Sequence, residues 1–190
     1  MTVSITSKTD HAPRVAGFHL PALIHPRRTL GGRTFDFSRQ VAVMAIVNRT
    51  PDSFYDKGRT FGLKDAVAAA YAAIRDGADW VDIGGAPFGP GPEVTVEQEI
   101  DRVVPVVEAL RDESGTVISV DTFRTEVARR SIDAGAHVIN DTSGLRDLAS
   151  ARIVAESAAS LVITHSISAP RTAIARPSFL HLTTAVSVFL

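Results

Sequence analysis

A regular alternation of short β-rich runs with alanine-rich amphipathic stretches, beginning at Val41, constrains this chain more than any other feature. The β-rich runs are VAVMAIV from Val41, DWVDIG from Asp79, TVISVD from Thr116, AHVIN from Ala136 and SLVITH from Ser160. Between them the spacing predicts helices over Lys64 to Asp76, Thr95 to Asp112, Thr125 to Ala134 and Asp147 to Ser157. In the second of these, Thr95 and Gln98 form a capping-box signature, and Ile100, Val103, Val104, Val107 and Leu110 fall on one face. The charges from Glu97 to Asp112 are expected on the opposite, solvated face. Five strands alternating with four helices imply consecutive βαβ units, hence a mainly parallel sheet with helices outside it.

Two architectures build such units. An open doubly wound sheet suits the length of 190 residues, but no G-x-G-x-x-G fingerprint follows the first run at Val47. A (β/α)8 barrel accounts for a second regularity: Asn48, Asp82, Asp121, Asn140 and His165 all stand at or near the C-terminal end of a run, where the active face of a barrel lies. A full barrel takes about 250 residues, so five of eight strands are expected here. The organisation read from the sequence is a tail over residues 1–16, an α/β partial barrel over 17–170 and an atypical C-terminal stretch over 171–190. Ahead of the barrel, the apolar pieces FHLPALI and GRTFDF, separated by Arg27, Arg28 and two glycines, read as a hairpin or cap.

Composition narrows the function classes. A net charge of −1 argues against a nucleic-acid footprint. The absence of cysteine excludes disulfides and thiolate metal sites and fits a reducing compartment. The first residues contain no apolar signal segment, and no stretch is apolar and long enough to span a bilayer. The expectation is a cytoplasmic protein whose partners are small molecules.

The polar strand-end residues suit a pocket for a flat, donor-rich heterocycle. Amino and ring N–H groups of such a ligand need acceptors at fixed positions, and Asp121 and Asn140 supply a carboxylate and an amide. Asn48 offers a neutral oxygen of the kind that joins phosphate and water around magnesium. Asp82 lies deeper and is expected to support the pocket floor. Blander readings stand beside these. An Asp ending a strand can be only a helix N-cap or a loop hydrogen-bonder. The glycines of DIGG can serve only a tight turn. His165, with no carboxylate or nucleophile near it in sequence, reads as structural.

The segment MAIVNRTPDSF, from Met44 to Phe54, with DIGG at Asp82 to Gly85, SVDT at Ser119 to Thr122 and GAHVIND at Gly135 to Asp141, resembles the dihydropteroate synthases in content and order. The resemblance covers roughly residues 20–170. It implies a (β/α)8 barrel that joins a dihydropterin diphosphate to p-aminobenzoate, a transferase step of folate biosynthesis assisted by Mg2+. It also implies a homodimer, pterin contacts at Asp121, Asn140 and Asp82, and a metal contact at Asn48.

Departures from the family pattern are equally specific. After DIGG the family continues Glu-Ser-Thr-Arg-Pro-Gly, whereas this chain reads Ala86, Pro87, Phe88, Gly89, Pro90 and Gly91. Phe88 replaces a hydroxyl and Gly89 replaces a guanidinium that would position a carboxylate or phosphate. Tyr55, Asp56, Lys57 and Gly58 differ from the family's first loop. The family's later pterin-binding Asp, Ser-x-Lys and Arg-x-His segments have no counterpart after His165. From Pro177 the chain runs fourteen residues without Asp, Glu, Lys or Arg, which suggests a frameshift or truncation near Ala173. Two functions follow: a dihydropteroate synthase-like transferase, or an inactive paralogue or fragment that retains at most pterin binding.

Overall fold

The computed structural model describes residues 25–50, 62–113, 115–173 and 181–189. The expected tail over 1–16, the FHLPALI piece, the Pro51–Phe54 part of the first motif and the stretch from Tyr55 to Gly58 lie outside the described residues. An antiparallel hairpin, β1 (Arg27–Leu30) and β2 (Arg33–Asp36), comes first. Arg27 and Arg28 thus belong to a strand and do not merely link apolar pieces. Gly31 and Gly32, both at positive φ, form the two-residue turn that a hairpin of this hand requires.

The predicted alternation follows: β3 (Met44–Asn48), α1 (Leu63–Arg75), β4 (Trp80–Gly84), α2 (Val96–Leu110), β5 (Val117–Asp121), α3 (Thr125–Ala134), β6 (Val138–Asp141), α4 (Leu148–Ala155) and β7 (Ser160–Ile163). A last helix, α5, spans Leu182–Phe189. The five later strands are all parallel and lie in the order β3-β4-β5-β6-β7. A doubly wound sheet reverses its strand order partway; this one does not. With right-handed crossovers, an unreversed order keeps the helices on one side of the sheet, which is an arc of a (β/α)8 barrel.

Alternation along the strands separates two faces. Val47, Val81, Ile83, Ile118, Val120 and Ile139 turn outward and form one core with Val103, Val107 and Leu110 of α2 and with Ala66, Ala70 and Ala128 from α1 and α3. Burying each of the larger aliphatic side chains contributes about 1.5–3 kcal/mol. The other face closes at its N-terminal end, where Phe35 of the hairpin packs on Val117, Val138 and Trp80. Toward its flanks that inner face is open among the described residues: Ile46 on β3 is 63% exposed, and Met44 and Val162 are also exposed.

Helix α2 begins with the expected capping box, Thr95 Oγ1 accepting from the Gln98 amide and Gln98 Oε1 from that of Thr95. Its buried stripe is Glu99, Val103, Val106, Val107 and Leu110. Ile100 and Val104 only flank it. Glu99 is 1% exposed, which corrects the expectation that the charges of this helix share a solvated face. Pro105 sits inside α2 and leaves the Asp101 carbonyl without a helical donor. Arg49 supplies one, its guanidinium donating to the carbonyls of Asp101 (3.2 Å) and Arg102 (2.8 Å).

Candidate functional site

Register places the site. Across the sheet, Asn48 pairs with Gly84, Gly84 with Asp121, and Asp121 with Asn140. Residues on one rung of an in-register parallel sheet share a face, so the last rung of four strands presents an amide, a glycine, a carboxylate and a second amide. One rung below on the same face, Asp82 pairs with Ser119. Asp82 is buried and accepts from Ser119 Oγ at 2.5 Å and from Asn140 Nδ2 at 3.1 Å. Asp82 therefore lies one layer beneath the rung, and its carboxylate orients the Asn140 amide.

The glycines of DIGG do not serve a positive-φ turn, since neither Gly84 nor Gly85 is among the positive-φ residues. Both are close-approach positions. A Cβ on Gly84 would collide with the Asn48 side-chain oxygen, and one on Gly85 with Val103 and the Glu99 backbone carbonyl. The small residue on the rung is what lets Asn48 lie over β4.

Asp121 accepts from Thr142 Oγ1 at 3.0 Å. It is not a helix cap, because the N-cap of α3 is Arg124 and makes no side-chain capping bond. Burial, then the negative charge of Asp82, push its proton affinity up to about 7; the Thr142 bond opposes this, and Glu99 and Asp141 add smaller repulsions. Asp82 is raised chiefly by burial, partly offset by Ser119 and Asn140. Asp141, on the opposite face of β6, holds the next loop: its Oδ1 accepts from the Ser143 amide, the Ser143 hydroxyl and the Leu145 amide.

Glu99 is the site residue that sequence reasoning missed. Its Oε1 accepts from Thr122 Oγ1 at 2.6 Å and its Oε2 from Arg124 Nη1 at 2.9 Å, while Arg124 Nη2 reaches the Val94 carbonyl at 2.5 Å. Thr122 follows Asp121 directly, and its amide donates to the Asn140 carbonyl. The buried pair thus ties the loops after β4 and β5 to the helix behind them. Only its membership of the 99-103-106-107-110 stripe could have revealed it.

The loop after β4 carries Phe88 and Gly89, and their contribution is backbone: the carbonyls of both accept from Arg171, Phe88 from its main-chain amide and Gly89 from its guanidinium. A cleft of about 140 Å³ lies beside this loop, lined by Thr50, Pro87, Val94 and Arg102 among others. It is smaller than the few hundred Å³ of an ordinary ligand pocket. His165 lies two residues beyond β7 and is partly buried. Among the described residues no cluster of three or more His, Asp or Glu could hold a metal. No described helix is long and apolar enough to cross a membrane.

Comparison with known proteins gives concordant results. The model of the family described as pterin binding enzyme matches residues 44–189. The chain is 50% identical over 152 residues to "Inactive dihydropteroate synthase 2" of Mycobacterium leprae, covering 79% of this chain and 52% of that protein. Among solved structures, a Yersinia pestis dihydropteroate synthase in a sulfonamide drug complex superposes with a TM-score of 0.78 at 37% identity, covering 86% of this chain and 59% of that one. A Burkholderia cenocepacia dihydropteroate synthase complexed with 7,8-dihydropteroate gives 0.72 at 33% identity, covering 86% and 55%. The chain spans about half the length of the curated relatives it matches.

Proposed function

This chain belongs to the pterin-binding enzyme family, and we propose that it is a dihydropteroate synthase-like protein that holds a dihydropterin without condensing it efficiently. The observation that carries this reading is the rung Asn48, Gly84, Asp121, Asn140 with Asp82 beneath it. In this reading the Asp121 carboxylate accepts from the 2-amino and ring N–H donors of the pterin. The Asn140 amide, oriented by Asp82, offers its oxygen beside it. Such a pair reads a flat heterocycle by its edge, with Ser119 and Asp82 closing the floor.

Condensation asks for more. The amine nitrogen of p-aminobenzoate must bond to the pterin methylene carbon while diphosphate leaves with the electron pair and the amine loses a proton. Diphosphate departure is favoured by cations aimed at it. Among the described residues near this mouth Arg124 donates to Glu99 and Val94, Arg102 to the Gly85 carbonyl and Arg49 to α2, while Arg146 of the loop after β6 has an exposed side chain. The loop 86–92 contributes no charged side chain. Asn48 fits a magnesium ion that arrives with a diphosphate, since such an ion keeps most of its ligands from phosphate and water. Its chemistry when bound would be to neutralise the leaving group. A cytoplasmic location accompanies this reading, as does the homodimer of the family.

Calorimetric titration of the purified chain with a dihydropterin, and with its diphosphate plus Mg2+, tests the proposal against Asp121→Ala and Asn140→Ala controls. Binding that both substitutions abolish is the expected result. A folded chain that binds neither ligand would reduce the rung to inherited architecture. Steady product formation with p-aminobenzoate would instead restore the full transferase reading.

A further inference from the structure

The loop Ala86 to Pro92 contains three prolines, two glycines, an alanine and a phenylalanine, and so no side chain able to donate a hydrogen bond. Its carbonyls nevertheless converge. Arg171 Nη1 donates to the carbonyls of Pro87 (2.9 Å) and Gly89 (2.5 Å), and Nη2 to those of Gly91 (2.5 Å) and Pro92 (2.5 Å). The Arg171 amide donates to the Phe88 carbonyl at 2.8 Å. One residue, about eighty positions away in sequence, satisfies five carbonyls of a seven-residue loop.

Arg171 also stands at φ 66°, a left-handed conformation that a non-glycine residue keeps only when its surroundings impose it. Here the loop imposes it, since main chain and side chain of the same residue are bonded to the same segment. The contact is long-ranged within the sheet as well. It joins the loop leaving β4 to a residue eight positions past the end of β7, and β4 and β7 are separated by β5 and β6. Three strand spacings are about 14 Å. The contact therefore spans the strand ends that carry Asp121 and Asn140.

We propose that Arg171 is a positioning residue: a strap that fixes the Ala86–Pro92 loop across the mouth of the pterin site, taking over from a distant segment the ordering that the loop's own side chains cannot provide. The guanidinium suits this task and an ammonium does not, because a planar fork presents donors in two fixed directions to two pairs of carbonyls. The part of this proposal that concerns ligand affinity rests on the pterin-binding reading above; the part that concerns loop order does not.

Arg171→Gly is the informative variant, since glycine adopts φ 66° without strain and loses only the side chain. Backbone 15N order parameters at Ala86, Phe88, Gly89 and Gly91 are expected to fall while those in the strands stay unchanged. Affinity for a dihydropterin is expected to fall on the order of tenfold, as the fraction of molecules with an ordered loop falls. Guanidinium at millimolar concentration should restore both readouts in Arg171→Gly, and Arg171→Lys should restore neither. Unchanged order parameters in the loop, or rescue by lysine as good as by guanidinium, overturns the strap. If the wild-type chain binds no dihydropterin, the pterin reading fails, and loop order parameters with guanidinium rescue still decide the role of Arg171.

Discussion

Asn140 donates its side-chain amide to the buried carboxylate of Asp82 at 3.1 Å, linking the rung that faces a ligand to the layer beneath it. Asp82 is itself held by Ser119, so an orientation chosen in the floor is passed to the mouth. Asp82→Ala is expected to weaken dihydropterin binding, because the Asn140 amide loses the carboxylate that orients it. Asp82→Asn should bind better than Asp82→Ala, since it can still accept one of the two hydrogen bonds. Equal affinities for both variants and wild type, measured by calorimetry, would remove Asp82 from the site.

The two glycines of DIGG should separate by readout. Gly85→Ala forces a Cβ against Val103 and the Glu99 carbonyl, an overpacking that costs about 1–3 kcal/mol of stability in chemical denaturation. Gly84→Ala meets only the end of the Asn48 side chain and Asp121 Cβ. It should leave stability nearly unchanged and impair ligand binding. The reverse pattern would mean that the rung does not position Asn48.

Glu99→Ala leaves Arg124 and Thr122 facing an apolar helix without their acceptor. Arg124 is only partly buried and keeps the Val94 carbonyl, so the expected loss is about 1–3 kcal/mol. Glu99→Gln keeps an acceptor for one donor and should lose less. A denaturation midpoint indistinguishable from wild type for Glu99→Ala would show that the pair is solvated.

Asp121 binds its proton more tightly in the folded chain than in the unfolded one, because burial and Asp82 raise its pKa to about 7. Its contribution to stability is therefore fully present below about pH 4 and is lost as pH rises toward 7, by no more than about 4 kcal/mol. Ligand binding should follow the opposite course: a dihydropterin needs the ionised carboxylate, so affinity should rise from about pH 6 to 8 and then level. Asp121→Asn should flatten both profiles. Parallel profiles for wild type and variant, by melting and by calorimetry, would assign the pH dependence to other groups.

Arg49 and Pro105 form a coupled pair. Arg49→Ala should cost about 1 kcal/mol by exposing the Asp101 carbonyl that Pro105 leaves unpaired. In a Pro105→Ala background the restored helical amide bonds that carbonyl, and the cost of Arg49→Ala should shrink. A double-mutant cycle with no coupling energy would contradict this.

Sequence by itself determined the order and type of the elements from β3 to β7, the capping box at Thr95, and the placing of Asn48, Asp121 and Asn140 at strand ends. These depend on short-range periodicity and on neighbours three or four residues apart, which any reader of the chain can see. It also marked the loop at Phe88 and Gly89 as a departure. Tertiary structure alone decided what that loop does, because its organiser, Arg171, lies about eighty residues away. It decided that Glu99 is a buried anchor, since one helical position separates a solvated carboxylate from one that meets Arg124. It decided the proton affinity of Asp121, set by burial and by charges on two other strands and a helix. Periodicity tells which face a residue takes; which distant groups share that face follows only from the strand register and the packing of helices against it.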